Sequence, residues 1–264
     1  MIRPVLLCCL VALSAVLHAA QEVKTETVTY QDGDVTCKGF LAVPATLIGN
    51  APGVLVAHDW YGCGPYAQQR AKELAQRGYV AFALDMYGNG KVVSSSQDAS
   101  ALAGGFYKDL PLMMRRAHAG LAVLKSQTTV DQGRLAAIGF CFGGTVALNL
   151  ARSGDALAGV VSFHGGLKQA AAVPATEGGI KAKLLVLHGG ADPFVPPADV
   201  AAFMDEMTKA KAIWRMETYG GAVHSFSNPG AGDNVASGSA YNVVAEKLSI
   251  AAMERFFGEI FAVQ

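Results

Sequence analysis

Neither sign of charge is in excess: 21 Lys and Arg stand against 21 Asp and Glu, and charged residues make up only 16% of the 264 positions. No net field therefore draws the chain to nucleic acid or to an anionic membrane surface, and no basic patch supplies a local one. Internal repeats are missing, and so are low-complexity tracts beyond Ser94-Ser95-Ser96, which excludes a solenoid or a linker-rich array. No C-x-x-C occurs after residue 20, which argues against a dithiol redox protein. Nor does a close-spaced His or Cys pair occur after residue 20. His58, His164 and His188 each end a strand-like run, but without such a pair they read as packing or hydrogen-bonding residues and no metal site is expected. What the chain has in quantity is apolar sequence, 52% of it, enough for a large core.

The N-terminus carries an address. Arg3 supplies a positive charge, residues 5–17 are almost wholly apolar, and Leu17-His18-Ala19-Ala20-Gln21 offers a small-residue cleavage site. That stretch is too short to span a bilayer and polar sequence follows it, so residues 1–20 are expected to be a secretory signal peptide and the mature chain periplasmic or secreted. Three cysteines would then remain: Cys37, Cys63 and Cys141. In an oxidising compartment a Cys37–Cys63 bridge is the economical pairing, with three free thiols as the alternative.

From residue 21 onward the pattern alternates between β and α without a break, predicting one α/β domain over 21–264. Two early strands, 23–30 and 35–43, flank Asp32-Gly33 as a hairpin. Further strands are expected at 54–58, 80–84, 135–138, 159–163, 184–187 and 213–217. Helices are expected at 66–77, across 100–126, from the elbow described next to about 151, at 197–209 and at 239–261. Such alternation implies a mostly parallel sheet covered on both faces, with ligands bound at the carboxyl ends of its strands.

Residues 137–146, A-I-G-F-C-F-G-G-T-V, read as a strand, a tight glycine turn and a helix with Cys141 at the apex. This is the layout of a nucleophile elbow with cysteine in place of serine. Gly139 and Gly143, two positions either side, let strand and helix approach closely. A thiol at a helix N-terminus meets unpaired amides and the positive end of the dipole, which favour the thiolate. Taken alone, cysteine is also a common small buried hydrophobe. The downstream residues complete the pattern. Asp192 follows the apolar run 183–188 and the loop Gly189-Gly190-Ala191, and His224 lies in G-G-A-V-H-S-F after the strand at 213–217. Nucleophile, acid and histidine come in the order that this elbow's fold uses. A neutral imidazole can take the thiol proton and return it to the leaving group, while a carboxylate on its other nitrogen fixes tautomer and orientation. A turn or cap role for Asp192 beside Pro193, and a plain loop role for His224, are the structural alternatives.

These motifs, G-F-C-F-G-G at 139–144 with G-V-L-V-A-H-D-W-Y-G at 53–62, R-G-Y-V-A-F-A-L-D-M-Y-G at 77–88, H-G-G-A-D-P-F-V-P at 188–196 and H-S-F at 224–226, resemble the dienelactone hydrolase family of α/β-hydrolases. The resemblance implies an α/β-hydrolase fold and a Cys141–His224–Asp192 triad. It also implies an oxyanion hole built from the amides of Trp60 and Phe142, and hydrolysis of a lactone or carboxylic ester through a covalent acyl-enzyme, with a small-molecule substrate and no cofactor. Removing one such oxyanion donor costs roughly 3–4 kcal/mol in other enzymes. The chain departs from the family pattern at two places. Asp59 stands where the best-known members carry a glutamate that pairs with the resting thiol, so Asp59 is the candidate activating residue, one methylene shorter. After His224 comes Ser225-Phe226-Ser227-Asn228, without the arginine that binds a substrate carboxylate; Arg115 and Arg116 fall in a helical segment whose solvated face explains them as well. Tyr61 and Tyr87 are candidates to line a pocket, as is Trp60, or are simply core. Open beside the ester reading are action on a thioester or another acyl bond and a non-catalytic binding protein of this fold.

Overall fold

The computed structural model describes residues 22–168 and 175–262; the expected signal peptide lies outside them. The early hairpin forms as β1 (Val23–Asp32) and β2 (Val35–Pro44), joined at Gly33, whose φ of +59° is the left-handed turn conformation that a side chain would resist. After β3 (Ala51–Ala57) comes α1 (Pro65–Gln76), opened by proline in its first turn and followed by Gly78 at φ +92°, then β4 (Val80–Leu84).

The helix-rich stretch expected across 100–126 is two helices, α2 (Ser96–Lys108) and α3 (Leu110–Ser126). Asp109 divides them. Its carboxylate caps α3 by accepting from Leu112 N at 2.9 Å, and Pro111 cannot continue the preceding hydrogen-bond ladder. Then follow β5 (Val130–Phe140), α4 (Phe142–Arg152), β6 (Gly159–Phe163), β7 (Lys183–Gly189), α5 (Pro197–Lys209), β8 (Trp214–Tyr219) and α6 (Val243–Phe261). The last helix begins four residues later than expected. Residues 239–242 are held instead in the loop against His224, and Asn242 then caps α6 through its side chain.

One eight-stranded sheet results, in the order β1-β2-β4-β3-β5-β6-β7-β8, with only the β1–β2 and β2–β4 pairings antiparallel. Strand alternation sends successive side chains to opposite faces. Leu55, Ala57, Phe82, Leu84 and Ala137 join a core under α2, α3, α4 and α5, whereas Val54, Val56, Ala81, Ala83 and Ile138 join one under α1 and α6.

No bridge joins Cys37 and Cys63; both are buried free thiols. Their sulfurs serve different carbonyls: Cys37 Sγ approaches Val35 O at 3.9 Å and Cys63 Sγ donates to Ala83 O at 3.4 Å. Burial raises both thiol pKa values, that of Cys63 to about 12, and leaves both unreactive. Arg115 is exposed as expected, but Arg116 is buried. Both grip the buried Asp32 at the end of β1, at 2.9 and 2.7 Å, and Arg116 also donates to Met86 O at 3.0 Å. These contacts fasten the hairpin to α3.

Candidate active site

The central strands end together, and the residues singled out from the sequence sit on the loops that leave them. Cys141 caps α4 with φ +54° and ψ −116°, a conformation that costs a non-glycine residue of order 1–3 kcal/mol. Close packing around it enforces the turn. A Cβ on Gly139 would lie 1.9 Å from Gly143 O, and one on Gly143 would lie 2.1 Å from Ala57 O and 2.5 Å from His58 O. Among the described residues five non-glycines have positive φ, and three of them, Cys141, His164 and Ser225, belong to this site.

Asp192 and His224 are brought together. His224 Nδ1 donates to Asp192 Oδ2 at 2.8 Å, while Asp192 Oδ1 accepts from Phe194 N at 2.9 Å, so the buried carboxylate is held at both oxygens. The backbone of His224 is pinned to the returning loop, its N donating to Gly238 O and its O accepting from Ala240 N, each at 3.0 Å. The Cys141 sulfur lies near enough to the imidazole to act on its charge. Burial alone would depress the imidazolium. The Cys141 sulfur and the Asp192 carboxylate outweigh it and raise the pKa to about 10.

Trp60 and Phe142 present backbone amides that form no turn or cap hydrogen bond among the described residues. The two segments are joined through Tyr87, whose hydroxyl donates to Trp60 O at 2.8 Å and whose ring stacks on Phe142 at 5.9 Å. Tyr87 is thus a wall of the site with its polar end already used. Tyr61 is half-buried, its ring edge-on to Trp60 at 5.6 Å.

Asp59 lies close by but is bound elsewhere than at the thiol. Its Oδ1 accepts from Tyr61 N at 2.9 Å and its Oδ2 from Asn228 Nδ2 at 3.4 Å. Burial raises its pKa to about 6, against those two hydrogen bonds and the pull of His224. Asn228 itself lies four residues past His224, in the segment that lacks a basic side chain.

Two residues at the site were not singled out as functional from the sequence. His164, at the end of β6, accepts the amide of Cys141 on Nδ1 at 3.1 Å and donates from Nε2 to Ser227 Oγ at 2.8 Å. The Cys141 amide is shared with Phe163 O at 3.0 Å, so the elbow is tied to β6 twice. Ser227 continues the chain to Tyr66, at 2.9 Å, and to Arg70, which donates to Ser227 O at 2.5 Å. Complete burial and the facing His224 keep His164 neutral, its pKa pushed well down. The second is Tyr107 on α2. Half-exposed as a whole, it stands beside the elbow with its ring edge-on to Phe142 at 5.6 Å, and burial with the Cys141 sulfur raises its hydroxyl pKa. Only the helical spacing of α2 relative to Phe142 reveals it, and that requires the tertiary packing.

His58 is structural. It contacts Asp59 O through Nδ1 and accepts from Met86 N at 3.2 Å through Nε2, and burial lowers its pKa to about 4. Among the described residues no group of three or more His, Cys, Asp or Glu is placed to hold a metal ion.

A model of the dienelactone hydrolase family matches residues 37–261. The chain belongs to that family. A protein of Methylorubrum extorquens named "Putative carboxymethylenebutenolidase" is 27% identical over 215 residues, 78% of this chain and 72% of that one. The "Probable 2-oxo-3-(5-oxofuran-2-ylidene)propanoate lactonase" of a Bradyrhizobium species is 27% identical over 214 residues, 76% of this chain and 86% of its own. Among solved structures, a dienelactone hydrolase-like promiscuous phosphotriesterase from metagenomic libraries shares 39% identity with a TM-score of 0.85, covering 90% of this chain and 98% of its own. The chain is accordingly an α/β-hydrolase of dienelactone hydrolase type, and its substrate is expected among small molecules.

Proposed function

We propose that this hydrolase cleaves a lactone or carboxylic ester through Cys141, His224 and Asp192. The Cys141 sulfur attacks the carbonyl carbon, its proton already carried by His224, whose pKa is raised to about 10. The carbonyl oxygen, now negative, takes hydrogen bonds from the amides of Trp60 and Phe142, donors set in place before the charge develops. Collapse of the tetrahedral adduct breaks the acyl C–O bond, and the departing alkoxide takes the proton from His224. Water then attacks the thioester with His224 as base, releasing the acid and freeing the Cys141 sulfur. Asp192 holds His224 in one orientation throughout and stabilises its charged form.

The observation that carries this reading is the hydrogen bond of His224 to Asp192, at 2.8 Å, beside a cysteine at the strained elbow. Relatives named for lactone hydrolysis support the choice of bond. The test is hydrolysis of a panel of small lactones and aryl esters by the protein and by Cys141→Ala, with folding of the variant checked by circular dichroism. Turnover is expected in the first and lost in the second. Turnover that survives in a folded variant would remove Cys141 from the reaction.

A further inference from the structure

Every arginine packed near the site is already engaged. Arg115 and Arg116 hold Asp32. Arg70 lies behind Ser227 and pairs with Glu73 at 2.7 Å and with Glu246. Lys108, beside Tyr107 on α2, is exposed. His224 is the cation that pulls on Asp59. Against that single imidazolium stand two buried carboxylates, Asp192 and Asp59, the second ionised above about pH 6. A substrate carboxylate placed near Cys141 would therefore meet the negative charge of these carboxylates, while the arginines beside the site are already engaged.

What the site offers instead is aromatic surface. Phe194 is 59% exposed and stands edge-on to His224 with ring centroids 5.4 Å apart. Tyr107 is exposed to 51% and borders the thiol from the α2 side. Trp60 is partly exposed beside the position assigned to the developing oxyanion, its carbonyl fixed by Tyr87. Rings at this spacing favour flat apolar groups.

Resting on the reading of Cys141 as nucleophile, we propose that the site selects uncharged, apolar esters and lactones and rejects those with a carboxylate near the scissile bond. The test compares kcat/KM at pH 7.5 for phenyl acetate and 4-acetoxybenzoate, whose carboxylate adds charge with little change in leaving-group strength. The uncharged ester is expected to be favoured by at least about tenfold, with the gap narrowing in Asp59→Asn. Equal or faster turnover of 4-acetoxybenzoate would overturn the selectivity while leaving the nucleophile in place. Phenyl acetate turnover that persists in Cys141→Ala would overturn the reading beneath it. A second measurement does not depend on turnover: the rates at which iodoacetamide and iodoacetate alkylate Cys141, each relative to free cysteine and followed by mass spectrometry. A preference for iodoacetamide of at least about tenfold is expected, and a ratio near one would overturn the proposal even if neither ester is a substrate.

Discussion

Replacing Asp59 by Asn tests whether this site holds a charge that the fold would rather not carry. Burial lifts the Asp59 carboxyl from an ordinary 3.8 to about 6, although Tyr61 N, Asn228 Nδ2 and His224 all favour the ionised form. The folded-state value lies above the unfolded one, so the folded chain binds this proton the more tightly. On this account stability is fullest below about pH 4 and is lost as pH rises from about 4 to about 6. At 1.36 kcal/mol per pKa unit, an ionised Asp59 destabilises the native state at pH 7.5 by about 3 kcal/mol. The introduced amide oxygen would accept from Tyr61 N as the carboxylate does, and the contact with Asn228, whose own oxygen is held by Gly230 N at 2.8 Å, adds only an offset common to both pH values. The measurement is urea unfolding of both proteins at pH 4 and pH 7.5. Asp59→Asn should gain about 2–3 kcal/mol relative to the parent between the two pH values, whatever constant offset the substitution brings. A difference between the proteins that does not vary with pH would show that Asp59 is solvated, and would refute the electrostatics drawn from its burial.

Gly143→Ala should lower the melting temperature by roughly 6–12 °C or prevent folding, since its Cβ would sit 2.1 Å from Ala57 O, a backbone atom that cannot rotate away. Gly104→Ala in α2, where nothing lies within 4 Å of the new Cβ, should leave it unchanged or raise it slightly; equal effects in both would refute the packing argument. His164→Leu strips the second acceptor from the Cys141 amide and the donor from Ser227, and should lower both stability, by about 1–3 kcal/mol, and kcat, about tenfold or more. His164→Asn, which keeps an acceptor near Nδ1 and tolerates the φ of +39°, should recover part of each. Parental kcat in the leucine variant would show that the amide needs no second anchor.

What could be read from the sequence was what short-range chemistry determines. The hairpin at Gly33, the proline-opened α1 and α5, and the glycines around Cys141 each carry their geometry in a few neighbouring residues. Asp192 and His224 were legible for another reason, because loops after parallel strands converge at one edge of the sheet whatever the strands' exact register. Contacts made across long stretches of chain were not legible. Arg116 looked like a solvated helix residue because Asp32, 84 positions away, gives no local sign of being its partner. Cys37 and Cys63 looked like a possible bridge because spacing says nothing of the carbonyls at which their thiols aim. His164 met the elbow's amide only through the pairing of β5 with β6, in which Phe140 and Phe163 are partners. The break at Asp109 had its signal in the sequence, an N-capping carboxylate two residues before a proline, and a continuous apolar pattern obscured it.

The histidines at one sheet edge differ in their charge state. Four of them end strands or leave the strand ends, and three have lowered pKa values: His58 and His164 through complete burial, and His188 through partial burial beside His224. The ring centroids of His164 and His224 are only 5.2 Å apart, too close for both to be charged at low cost. His164 therefore has to stay neutral for His224 to become charged, and its two hydrogen bonds require the same state, an acceptor at Nδ1 toward Cys141 and a donor at Nε2 toward Ser227. Protonating His164 would remove that acceptor and place a second positive charge behind the thiol. On the proposed mechanism the fold separates two tasks that the same side chain could perform: His224 would carry the proton, while His164 anchors the backbone amide of Cys141.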